Sequence, residues 1–171
     1  MSPLRRAARC ILVAVLLAGA GAVGGLALHW YVVQPTDAEL IAMARGIDID
    51  GLVTSGEPVV SGRWAPSFDR GGVLVGAASG AEVSGAGVAA TLEAQGWEVH
   101  DVSVRTSSQT VHASRGGVDV DVHMREGEAA ATEATVWLSR GDGAPSLTTT
   151  VVLGAVVGAL GGLALGRRRA R

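Results

Sequence analysis

Residues 110–125 read TVHASRGGVDVDVHMR, and their alternation decides the fold. Val118, Val120, Val122 and Met124 alternate with Asp119, Asp121, His123 and Arg125, which predicts a strand with one buried and one wet face. Taking Arg115-Gly116 as a two-residue loop, Val111 faces Val120 and Ala113 faces Val118 on the core side. A one-residue slip would drive His112 into the core, so the hairpin register is constrained.

Working outward, further strands are predicted over Trp97 to Arg105, Thr110 to Ser114, Val118 to Arg125 and Glu133 to Arg140. His100 and Asp101 interrupt the alternation of the first, as a bulge would. Ser79-Gly80-Ala81-Glu82 has the form of a capping box opening a helix through Val83, Val88 and Leu92 to Gln95. Gly96 suits the left-handed position after that helix, and Trp97 the following position that packs back on Leu92. Val73-Leu74-Val75 is a short apolar strand before it. The expected fold is α+β, a small β-α-β-β-β-like domain whose mostly antiparallel sheet carries the helix on one face.

Upstream, Thr36-Asp37-Ala38-Glu39 is another capping box, followed by Leu40, Ile41 and Ala44 on one helical face and by Gly46 as the stop. Residues 47–70 are rich in Gly, Pro and Ser and are expected to be irregular, with one short strand near Val59. Trp64 and Phe68 are expected to pack on the domain.

Two apolar runs flank this domain. Residues 10–33, CILVAVLLAGAGAVGGLALHWYVV, carry no charge and are closed by Trp30 and Tyr31, as at a membrane interface. Residues 147–166, LTTTVVLGAVVGALGGLALG, are followed at once by RRRAR. Each run is long enough for a hydrocarbon core of about 30 Å. Ala18-Gly19-Ala20 would also suit signal-peptide cleavage, but that would leave an apolar tail on the mature domain, so an anchor is preferred. The layout is therefore a basic tail (1–9), a first transmembrane helix (10–33), an extracytoplasmic domain (34–146), a second transmembrane helix (147–166) and a basic tail (167–171).

Charge gives the orientation. All sixteen acidic residues lie between Asp37 and Asp142. Seven Arg against those sixteen leave the middle at −9, while the seven Arg of the two ends face no acid at all. Arg-rich flanks stay in the cytoplasm, which puts both termini inside and the middle outside. An outer surface so acidic excludes nucleic acid as a partner and leaves membrane lipid to the spans. All-Arg basic usage with abundant Ala and Gly points to a bacterial genome of high GC content. The one cysteine, Cys10, lies in the first span, so the central domain must hold together without a disulfide.

The spans carry a candidate packing site. Gly154, Gly158, Gly162 and Gly166 recur every four residues, forming one stripe of a helix, a glycine zipper. Ala14, Ala18 and Ala22 form a matching stripe in the first span, beside Gly21-xxx-Gly25. Small residues let backbones approach closely, which is how helices associate in lipid. The partner could be the other span of the same chain, a second copy in a homo-oligomer, or another membrane protein.

Catalytic signals are weak. The predicted register puts His112 opposite Asp119, with Asp121 and His123 beside them, a set that could hold a divalent metal in a membrane-tethered hydrolase. A solvated sheet face explains the same residues, and there is no HxxxH or CxxC spacing, no G-x-S-x-G and no cysteine in the domain. Gly85-Ala86-Gly87-Val88-Ala89-Ala90 imitates a dinucleotide fingerprint without a strand directly before it, and is read as a flexible helix entry. No catalytic residue, metal or cofactor is therefore assigned. The expected role is that of a non-catalytic cell-envelope protein, an accessory or binding subunit. The layout of two spans bracketing an outer domain resembles that of bacterial polysaccharide chain-length regulators, which would imply a scaffolding role, although the outer domain here is shorter.

Overall fold

The computed structural model describes residues 3–61, 71–127, 131–141, 143 and 145–168. Trp64, Phe68 and the last three residues, 169–171, lie outside the described residues. The chain divides into two compact units, one made of residues 1–34 with 142–171, the other of residues 35–141.

The second unit is an α+β domain. Its elements are α2 (Asp37–Gly46), β1 (Val53–Ser61), β2 (Gly72–Ser79), α3 (Gly85–Ala94), β3 (Glu98–Val104), β4 (Ser108–Arg115), β5 (Val118–Glu126) and β6 (Thr132–Arg140). The six strands form one antiparallel sheet in the order β1-β2-β6-β5-β4-β3. One face is largely apolar: Val73, Leu138, Val120 and Ala113 are cross-strand neighbours in a single row, all buried, and only at its ends does β6 place Thr132 and Arg140 on the same side. Leu40 and Ala44 of α2 and Val88 and Leu92 of α3 join the same cluster, so both helices cover that face.

The caps explain where the helices begin. The Glu39 N–H donates to Thr36 Oγ1 at 3.2 Å while the Thr36 N–H donates back to Glu39 Oε2 at 2.6 Å, the expected capping box. The second expected box does not form. Strand β2 runs on through Ser79, which pairs with Thr132, and Ser79 Oγ accepts from the Ala81 N–H within a local turn. Ladder pairing outweighs the local cap, and α3 starts five residues later behind Ser84, whose hydroxyl accepts from the Gly87 N–H. Thr132 fixes the intervening link by accepting from the Val83 N–H and donating to the Ala81 carbonyl. Gly85 is a packing residue rather than a flexible entry: its N–H donates to Gln109 Oε1 at 2.6 Å, and a Cβ there would meet that oxygen at 2.7 Å. The far end of α3 closes as predicted. Gly96 has φ +81°, the Trp97 N–H returns to the Leu92 carbonyl and the Gly96 N–H to that of Glu93.

Two strand readings are corrected. Residues 53–61, expected to be largely irregular, form edge strand β1, with a break in register between Ser55 and Val59. Gly56 (φ +84°) and Pro58 mask its pattern, and an edge tolerates a proline that cannot donate to a ladder. The β4–β5 turn is Gly116-Gly117 rather than Arg115-Gly116. Both central residues need positive φ in this kind of turn, and the two glycines supply +58° and +79° without strain. The register therefore shifts by two: Val111 pairs with Val122, Ala113 with Val120, and His112 with Asp121. A shift of two keeps every side chain on its predicted face. The interruption in β3 is where expected, since the register breaks between Val99 and Asp101.

The two ends of this domain meet at Arg140, whose side chain is fully buried. Its Nε donates to the Pro35 carbonyl at 2.8 Å and its Nη2 pairs with Asp37 Oδ1. Removing Asp37 would leave a buried guanidinium without that carboxylate. Asp37→Ala should cost roughly 3 kcal/mol, at the lower end for a broken buried pair because Asp37 itself is half-exposed. Chemical denaturation of the full chain in micelles, followed by tryptophan fluorescence, checks this against Glu57→Ala. Glu57 pairs with Arg45 on the surface and should contribute under about 1 kcal/mol.

Candidate functional site: a glycine-lined helix pair and an open sheet face

The first unit contains α1 (Pro3–Leu28), continued by a π-helical turn (His29–Val33), and α4 (Leu147–Arg168). Both helices are long and apolar enough to cross a membrane. They run antiparallel, and their glycines lie where the backbones come closest. A Cβ on Gly154 would overlap the Gly21 carbonyl, and one on Gly158 the Leu17 carbonyl and Ala18. A Cβ on Gly162 would come within 2.5 Å of Ala14 Cα, and one on Gly166 within 2.9 Å of Cys10 Sγ. In return, Gly21 and Gly25 leave no room for a side chain beside the Gly154 and Thr150 carbonyls. The four glycines of α4 thus line the same seam as Ala14 and Ala18; Ala22 is half-buried on α1. Gly19, Gly24 and Gly161 have nothing within 4 Å of an added Cβ.

One residue of this unit gave no signal in the sequence beyond its rarity. His29 is completely buried, and neither of its ring nitrogens has a hydrogen-bond partner among the described residues. It follows Gly25 by one turn on the inward side of α1, which is why an imidazole in an apolar run ends up enclosed.

The other candidate is the face of the sheet that the helices do not cover. It carries His112, Asp119, Asp121 and His123, as alternation predicted, but it does not gather them. His112 Nδ1 and Asp121 Oδ1 are 2.5 Å apart, His123 Nδ1 bonds instead to Thr110 Oγ1 at 3.0 Å, and Asp119 pairs with Ser114 across the ladder. His100 Nε2 meets Ser114 Oγ at 2.7 Å. The pairing of His112 with Asp119 is thus corrected to one with Asp121, a consequence of the Gly-Gly turn. Among the described residues no three His, Cys, Asp or Glu side chains converge as metal ligands would. Trp137, which the sequence reading passed over, stands between Leu74 and Asp121 in the central row of this face.

Comparison with protein-family models, with curated protein sequences and with solved structures finds no match to this chain.

The seam makes a sharp contrast between adjacent positions. Gly162→Leu should separate the helices, whereas Gly161→Leu should be tolerated, and the same holds for Gly25→Leu against Gly24→Leu. Gly166→Cys supplies the readout. A disulfide of about 2.04 Å places each Cβ roughly 3 Å from the partner sulfur, close to the 2.9 Å available at Cys10. Mild oxidation should therefore give an intramolecular crosslink in Gly166→Cys, visible as a gel shift. Adding Gly162→Leu should abolish the crosslink, and adding Gly161→Leu should preserve it.

Proposed function

We propose that this chain is a two-span bacterial envelope protein whose sheet domain lies outside the membrane with both termini in the cytoplasm. It acts without catalysis, as an accessory or binding subunit. The observation that carries this reading is the helix pair. Two apolar helices from opposite ends of the sequence meet along a seam of glycines, and the chain between them folds as a separate sheet domain. Such a seam suits lipid, where close backbone packing replaces the hydrophobic drive that joins helices in water. The outward faces of the pair are large and apolar, among them Ile11, Leu16 and Val23 on α1 and Leu153, Val157 and Leu160 on α4. These face lipid, or a second copy or another membrane protein. With the seam filled by the chain's own helices, an outside partner reaches the pair through these flanks or meets the sheet domain.

The charge distribution supports the orientation, since arginines sit at both ends and acids only between them. Split-reporter fusions at each terminus and in the Gly116-Gly117 turn test it. Cytoplasmic signal is expected from both terminal fusions and none from the turn fusion. A cytoplasmic signal from the turn would refute the orientation. Crosslinking in native membranes addresses the accessory role, with a discrete adduct expected.

A further inference from the structure

The glycine seam fixes where His29 sits. Gly21 meets Gly154 and Gly25 meets Thr150, so each turn gained on α1 is a turn lost on α4. One turn beyond Gly25 brings His29 level with Ser146. The next level agrees, since a Cβ on Gly143 would lie 3.3 Å from Val33 Cγ1. The imidazole is therefore carried toward the first residues of α4, and it is completely buried. The hydroxyls at that level are already engaged. Ser146 Oγ accepts from the Thr149 N–H at 3.3 Å and meets Thr149 Oγ1 at 2.9 Å, and the Thr150 hydroxyl donates to the Leu147 carbonyl at 2.9 Å. Neither ring nitrogen has a partner among the described residues. The described residues of the two helices offer no anion either. Tyr31 is exposed, and Cys10 and the arginines lie toward the far end of the seam. Asp142 lies outside the described residues.

We propose that His29 makes its end of the helix pair acid-sensitive: the seam closes around the neutral imidazole and parts at that end when the ring takes up a proton. A neutral ring in an apolar enclosure forfeits hydrogen bonds with water. An imidazolium forfeits the solvation of a full charge, which is a far larger loss. Only a paired anion offsets that loss in place, and the described side chains supply none. Helix α4 adds to the penalty, because its N-terminus carries the positive end of the helix dipole. Water reaches the cation once the helices separate at this level. The rest of the seam is indifferent to acid, since residues 11–28 and 147–166 contain no ionisable side chain. Gly154, Gly158 and Gly162 should therefore hold their contacts while the His29 end opens. The device needs only the helix pair. It does not depend on the orientation of the chain or on its role as an accessory subunit.

The test measures distances between spin labels on the full chain in lipid nanodiscs, with Cys10→Ser removing the native thiol. One label pair, Leu28→Cys with Thr148→Cys, reports on the His29 end from exposed positions. A second, Leu12→Cys with Leu163→Cys, reports on the far end. Measurements at about pH 8 and pH 5 bracket the range in which histidine ordinarily changes charge. At the lower pH the first pair should gain a population longer by roughly 5 Å or more, about half the spacing of packed helix axes. Returning to the higher pH should remove it. The second pair should keep its distance throughout. His29→Leu and His29→Gln cannot take up a proton, so both should hold the short distance at both pH values. An unchanged first pair in the His29 chain would overturn the proposal. A shorter distance at low pH would overturn it too, because a carboxylate would then be receiving the cation. Opening of the two variants to the same extent would assign the response to another group, and equal lengthening of both label pairs would replace a local opening by general dissociation; either result overturns the proposal.

Discussion

The pairing of β2 with β6 is the constraint on which the sheet domain depends. Eight residues of β2, Gly72 to Ser79, pair in register with Ser139 back to Thr132, more than fifty positions downstream. Without that ladder the domain would be two fragments, a β1–β2 hairpin and a β3-to-β6 meander, each exposing half of a valine-rich face. With it, Val73 and Val75 lie beside Leu138 and Val136, and the buried rows run across the sheet. Such non-local pairing delays folding, since loop closure must precede the contacts that reward it. The link through α3 shortens the search. Its Schellman ending closes the helix, and the Gly85–Gln109 bond and the two Thr132 bonds hold the crossover against the β3-to-β6 meander.

Much of this was legible from local pattern, and most of the failures share one cause. Val118 to Arg125 alternates so cleanly that the buried face could be read directly, and Thr36–Glu39 and Gly96–Trp97 carry their caps in their side chains. Where long-range pairing competes with a local signal, the local signal misleads. Ser79 and Glu82 have the spacing of a capping box, but β2 claims Ser79 through its pairing with Thr132. Gly56 and Pro58 look like breakers, but an edge strand next to β2 accommodates both. The hairpin register differed by two because turn geometry selects glycine at two positions of positive φ, a demand that the apolar pattern does not express. Trp137 escaped notice for the same reason, since its row-mates Leu74 and His112 are far away in sequence.

The helix pair shows the complementary limit. A four-residue glycine period can be read from sequence, but nothing in it names the helix that fills the stripe. In the structure α1 fills it, and the selection lies in matched small positions: Gly154 against Gly21, Gly158 against Leu17 and Ala18, Gly162 against Ala14. Carbonyl oxygens sit where side chains would be, so even alanine at Gly154 or Gly158 would force the backbones apart. Gly161, next to Gly162 in sequence, is under no such demand.

Enclosure also explains what is unusual about His29. An imidazole that loses water and gains no partner among the described residues costs on the order of 1–3 kcal/mol for each unsatisfied group. An apolar residue of similar volume would avoid that cost, which makes His29→Leu an informative substitution. If the imidazole serves only packing, the variant should hold the helices together at least as well, and the Cys10 crosslink with Gly166→Cys should form at undiminished yield. A reduced yield would mean that the ring nitrogens are satisfied in the membrane by something other than this chain's own described residues, and that the seam is stabilised by that contact.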